Sequence, residues 1–165
     1  MPTHDVSLEA VEAFLAQTRI AMVGASRDPK DFSIALFDEL CRRGYDVVPV
    51  NPNAAVVGKR SCFCFPRVQD IQPPVTAALL MTSPEVTEAV VSDCAAAGIR
   101  QVWMYGAVGK GAVSRKAIAF CREHGIEVIP GLCPFMFLSG TGGIHRFHGF
   151  VRKITGRYPP RSKAA

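Results

Sequence analysis

Ile20-Ala21-Met22-Val23-Gly24-Ala25-Ser26-Arg27-Asp28-Pro29 is a short apolar run that stops at a glycine and passes into a polar turn. Four consecutive apolar residues suit a strand buried on both faces, as in a parallel sheet. A helical pattern follows, with Leu36, Phe37, Leu40 and Cys41 on one face. The same alternation recurs along the chain. Residues 46–50 end at Asn51-Pro52, and residues 75–80 end before Thr82-Ser83-Pro84. Residues 101–104 and 127–129 complete the set of strands. Between them, Val86, Ala89, Val90, Cys94 and Ala97 form one helical stripe, and Val113, Ala117, Phe120 and Cys121 another. Gly44, Gly98 and Gly125 each stand where a helix ends in a left-handed residue.

This β-α rhythm predicts an α/β fold, a Rossmann-like, doubly wound parallel sheet of five strands with helices on both faces. The expected strand order is 3-2-1-4-5. Residues 6–17 predict an extra N-terminal helix. Residues 53–70 lack a full crossover helix and suggest a hairpin or turn around Gly58. The domain is expected over residues 1–135, with a basic C-terminal extension, 136–165, packed on or beside it.

The 165 residues suit one domain, and 48% hydrophobic with 20% charged residues supports a packed core rather than disorder. No apolar run approaches the roughly 18 residues of a membrane span. The first ten residues carry Asp5 and Glu9 and do not read as a secretory leader. The six cysteines then imply reduced thiols and a cytoplasmic setting. Cys41, Cys94 and Cys121 lie on apolar helix faces and read as small core residues. The net charge of +5 is uneven: after Glu127 there are six basic residues and no acids. Such a tail suits an anion or a nucleic acid, although a solvated terminus explains it equally simply. Nucleic-acid modules carry interleaved aromatics, whereas Phe147 and Tyr158 are isolated.

In an open parallel sheet, ligands bind beyond the carboxyl ends of the strands, at the switch point. Gly24 permits a tight turn there. The amides that follow it and the helix N-terminus, about Asp31 to Ser33, suit a pyrophosphate, with hydroxyls from Ser26 and Ser33 and charge from Arg27 or Lys30. The three-glycine dinucleotide fingerprint is absent, and Asn51 stands where an acid would bind a ribose diol. Asn51 does not repel phosphate, and Lys59 and Arg60 follow closely. A nucleotide with an additional ribose phosphate therefore fits better than NAD. Thr82 and Ser83 are candidate cleft walls, with Ser83 also a natural helix cap. The apolar, glycine-rich run from Trp103 to Gly109 suits a narrow tunnel for a flexible arm.

These residues resemble the small CoA-binding proteins, whose domain is similar to the CoA-binding domain of the succinyl-CoA synthetase alpha subunit. The carrying stretches are Val23-Gly24-Ala25-Ser26 with Ser33, Gly44-Tyr45-Asp46-Val47-Val48-Pro49-Val50-Asn51-Pro52, the Gly58-Lys59 turn and Val102-Trp103, within about residues 15–135. The resemblance implies coenzyme A or an acyl-CoA; no strong catalytic constellation stands in the sequence, so binding without chemistry of the chain's own is expected. It implies pyrophosphate on Gly24 to Ser26 and Ser33, adenosine near Val50, Asn51 and Pro52, and pantetheine toward Thr82, Ser83 and Gly106. The alternatives are an NAD(P)-dependent oxidoreductase and a nucleic-acid-interacting protein.

Cys133 follows the fifth strand. Its plain reading is a buried, inert thiol; the sharper one is a transient mixed disulfide with the CoA thiol. Cys133 with His145 and His148, or Cys62 with Cys64, do not have zinc-finger spacing, and no metal is expected. Phe135, Phe137, Leu138 and Phe150 need apolar cover, which a homodimer would supply.

Overall fold

The computed structural model describes residues 6–107 and 110–139. In chain order the elements are α1 (Leu8–Leu15), β1 (Arg19–Val23), α2 (Phe32–Arg42), β2 (Asp46–Val50), β3 (Val56–Val57), β4 (Cys62–Phe63), β5 (Ala77–Leu80), α3 (Pro84–Ala96), β6 (Gln101–Ala107), β7 (Lys110–Gly111), α4 (Arg115–Glu123) and β8 (Glu127–Leu132). Single 3-10 turns occupy Val68–Asp70 and Pro134–Met136.

Five strands pair in parallel in the order β2-β1-β5-β6-β8, and β7 folds back antiparallel on β6. Side-chain alternation divides the core into two layers. Ile20, Met22, Leu79, Trp103 and Ile129 face α1 and α2, where they meet Phe14, Leu36, Phe37 and Leu40. Ala21, Val23, Ala78, Leu80, Val102 and Met104 face α3 and α4, where they meet Val91, Cys94, Ile118 and Cys121. The doubly wound parallel sheet expected from the sequence is thus present, with helices on both faces.

The strand order differs from expectation. Numbered among the five parallel strands, it is 2-1-3-4-5, not 3-2-1-4-5. The reason lies in the β2–β5 connection. It contains only the β3–β4 hairpin and one 3-10 turn. No helix is available to carry the chain to a further outer strand. Phe65 alone bridges Val50 in parallel, its N–H reaching Pro49 O and its carbonyl accepting from Asn51 N, both at 3.0 Å. The next full strand crosses to the free side of β1. The expected hairpin around Gly58 is present, and its Gly58 packs on Phe37 so tightly that a Cβ would lie 2.7 Å from the ring.

Local signals explain the helix ends. Ser7, Asp31, Ser83 and Ser114 each cap a helix through a side-chain oxygen. Gly44, Gly98 and Gly125 all adopt positive φ after α2, α3 and α4. Three of the apolar residues thought to need a partner find cover within the chain. Phe135 packs edge-on against Phe32, Phe137 against Trp103, and Leu138 is 8% exposed. This removes their argument for a dimer; Phe150, His145 and His148 lie outside the described residues.

Candidate functional site

The order reverses between β1 and β5, so the switch-point crevice opens beyond Val23 and Leu80. Gly24 forms its floor at φ 87°, a conformation that favours glycine. Its N–H donates to Val50 O at 2.9 Å, while Met81 N–H donates to Val23 O at 2.8 Å. A Cβ on Gly24 would sit 3.0 Å from Thr82 Cγ2 and 3.1 Å from the Met81 carbonyl. The turn therefore packs closely on the residues that follow β5, where a larger side chain does not fit.

Hydrogen bonds tie the surrounding loops together. Ser26 N–H donates to Ser33 Oγ at 2.9 Å, and Ser33 Oγ donates to Asp31 Oδ1 at 2.6 Å. Ser26 Oγ accepts from Asp28 N at 3.0 Å, leaving its hydroxyl hydrogen to donate. Asn51 Nδ2 donates to Ala25 O, and Asn51 Oδ1 accepts from Asn53 N, both at 2.8 Å. Asn51 thus clamps the first loop to the second, and its amide keeps one further N–H and one further lone pair. Ser33, expected to donate to phosphate, spends its hydrogen on Asp31. Asp31 also accepts from Ser33 N at 2.8 Å, so a carboxylate already caps the helix start.

Across the crevice, Thr87 Oγ1 donates to Ser83 O at 3.0 Å and lies 2.7 Å from Thr82 Oγ1. One hydrogen per hydroxyl means that Thr82 donates to Thr87 and keeps acceptor capacity of its own. Ser83 is exposed and caps α3 through Val86 N. At the end of β6, Gly106 approaches Gly131 so closely that a Cβ would meet its Cα at 2.5 Å. The register between β6 and β8 shifts there, between Met104 and Tyr105.

An aromatic cluster that the motif search missed lines the same edge. Phe32, the first residue of α2, packs on Tyr105 at 5.2 Å between ring centroids and on Phe135 at 5.6 Å. Parity along β6 was the available signal: Tyr105 follows Trp103 by two and shares its side of the sheet. Burial pushes the Tyr105 hydroxyl up to about 12, assisted by the charges of Cys133 and Asp31. Cys133 is half-buried beside this cluster rather than buried. Burial pushes the Cys94 thiol up to about 12 and the Cys121 thiol to about 11.

The structure therefore gathers Gly24, Ala25, Ser26, Ser33, Val50, Asn51 and Thr82 at one crevice, with Gly106 beyond the aromatic cluster. Arg27, Lys30 and Pro52 are exposed on its loops. Lys59 lies farther out, its N–H donating to Asp38 Oδ1 in the second turn of α2 at 3.2 Å. Among the described residues, no group of three His, Cys, Asp or Glu side chains is placed to hold a metal ion, and no helix is long and apolar enough to cross a membrane.

A parallel sheet with a glycine turn at its switch point defines a Rossmann-type ligand-binding domain. The chain belongs to the CoA-binding domain family, whose model matches residues 18–138. It is similar to a protein from Pyrococcus horikoshii OT3, at 27% identity over 81% of this chain and 91% of that one, with a TM-score of 0.73. It is also similar to a protein from Pyrococcus furiosus, at 27% identity over 71% and 96%, with a TM-score of 0.63. The apo dinucleotide-forming acetyl-coenzyme A synthetase 1 of Ca. Korarchaeum cryptofilum shares the fold, at 24% identity and a TM-score of 0.62. That match covers 73% of this chain and 27% of the synthetase.

Proposed function

We propose that the protein binds coenzyme A or an acyl-CoA across the switch-point crevice and carries out no reaction of its own, serving to store, sense or deliver the ligand in a cytoplasmic setting. The observation that carries this reading is the positive-φ Gly24 turn at the switch point, packed on Met81 and Thr82, in a chain of the CoA-binding domain family. In this reading the pyrophosphate lies over Gly24, Ala25 and Ser26, with the Ser26 hydroxyl donating and Arg27 and Lys30 supplying charge. The adenosine lies on Val50 and Pro52, positioned by the Asn51 clamp. Lys59 reaches the ribose phosphate from the hairpin. The pantetheine runs past Thr82 and Ser83 toward Gly106 and the Phe32–Tyr105–Phe135 cluster, where its thiol would approach Cys133.

Thermal unfolding of the reduced protein with CoA, acetyl-CoA, NAD, NADP and ATP tests this reading. A ligand at about 100 times its Kd stabilises the native state by ~2.7 kcal/mol. For a chain of this size that raises Tm by roughly 5–10 °C. CoA or acetyl-CoA is expected to produce the shift and NAD is not. A shift with NAD or NADP alone would restore the oxidoreductase reading.

A further inference from the structure

We propose that Cys41 and Cys62 form a redox-responsive dithiol that, on oxidation, clamps the β3–β4 hairpin to α2. The placement follows from strand register. Cys62 stands directly opposite Val57 across the hairpin, and Val56 opposite Phe63. Directly paired residues of an antiparallel ribbon point to the same side. Val56 and Phe63 are 48% and 65% exposed, so that pair marks the outer side. Val57 is buried in the layer that contains Phe37 and Leu40, and Cys62 packs against the same layer. Cys62 therefore faces α2.

Cys41 meets it from the helix. It follows Phe37 by four residues, one turn along the same face, and packs against the same layer. The hairpin is fixed over this turn by Gly58 against the Phe37 ring and by Lys59 N–H on Asp38. Both thiols are half-buried, unlike Cys94 and Cys121. Burial raises the Cys41 pKa, and Cys62 is its next strongest influence, which agrees with the two sulfurs being neighbours.

The reaction is thiol–disulfide exchange with a low-molecular-weight disulfide. The Cys62 thiolate attacks one sulfur of that disulfide and expels the first small thiol. The Cys41 thiolate then attacks Cys62 Sγ and expels the second. Two protein thiols lose two protons and two electrons, and the small disulfide is reduced to two thiols. The clamp lies on the β2 side of the crevice: the hairpin runs on to Phe65, whose carbonyl accepts from Asn51 N. Oxidation thereby stiffens the loop that carries Lys59 and Arg60.

The test is incubation of the reduced full chain with glutathione disulfide, followed by non-reducing mass spectrometry. The intact chain is expected to lose two hydrogen atoms. Trypsin should then yield residues 31–42, which hold Cys41, linked to residues 61–67, which hold Cys62 and Cys64. Chymotrypsin cleaves after Phe63 and separates the two candidate partners without any substitution. The link should reside in 61–63. Cys41→Ser and Cys62→Ser should each abolish it, and Cys64→Ser should retain it. Singly glutathionylated chains without a link, or a link that resides in 64–67, would overturn the proposal.

Discussion

The two ends of the sheet are built on opposite rules. At the amino end, side chains reach across strands and close the surface. Arg19 pairs with Asp46 at 2.8 Å and also donates to Pro73 O. Gln101 Nε2 donates to Glu127 Oε2 at 2.7 Å, while Gln17 and Thr76 extend the network over the neighbouring strands. At the carboxyl end, around Gly24, hydrogen bonds run within and between loops and from loop to strand backbone. One end joins strands through long side chains; the other joins loops through backbone and short side chains. The difference separates residues that stabilise the sheet from residues that shape a crevice.

Substitutions at the two ends should therefore diverge. The largest effect is expected from Gly24→Val. A side chain there meets Thr82 and Met81 while holding a left-handed backbone, at a combined cost of about 2–4 kcal/mol. Chemical denaturation should show that loss, and calorimetry should show no CoA binding. Asn51→Ala should come next, at about 1–2 kcal/mol, because it removes the clamp between the first two loops. CoA affinity should fall more than stability does. If stability falls and affinity stays, the loop is not part of the site.

Asp31→Asn sharpens the account of the helix start. Asparagine keeps the cap but removes a negative charge beside the proposed pyrophosphate. CoA affinity is expected to rise by about two- to fivefold, the worth of one charge near a helix terminus. A fall in affinity would place the pyrophosphate elsewhere. At the amino end, Arg19→Ala breaks a pair whose Asp46 is 66% exposed, so about 0.2–1 kcal/mol is expected with CoA affinity unchanged.

Glu39 supplies an acid-pH control away from the crevice. Hydrogen bonds from Arg42 lower its pKa from 4.5 to about 2; burial opposes this, and Arg43 lowers it further. The depressed folded value means that the contribution is present above about pH 4.5 and is lost as pH falls toward 2. Glu39→Gln should flatten the stability profile across that window and leave the neutral-pH CoA affinity unchanged.

Much of the fold was legible because burial leaves a periodic trace. The apolar strands, the Ser83 cap and the helix-ending glycines specified the doubly wound sheet. The order of strands was not legible, because it depends on what residues 53–70 fail to form. The lack of a crossover helix there was legible, but not that Ala77–Leu80 pairs on the far side of β1 from β2. At the site, Gly24 and Asn51 were visible as residue types, but their partners were not. Asn51 was expected to face a ligand; that it also joins two loops through its amide is a contact only the folded chain reveals. The Phe32–Tyr105 contact joins residues more than seventy positions apart, so only the assembled sheet reveals it.

The measurement that tests the central claim most directly is a backbone-amide NMR titration of the reduced protein with CoA. The account predicts saturable shifts at Gly24, Ala25, Ser26, Asn51, Thr82 and Gly106, with Gln17, Arg19 and Gln101 at the opposite edge unmoved. Shifts confined to the amino end, or no saturable shifts with CoA while NAD moves the crevice residues, would contradict it.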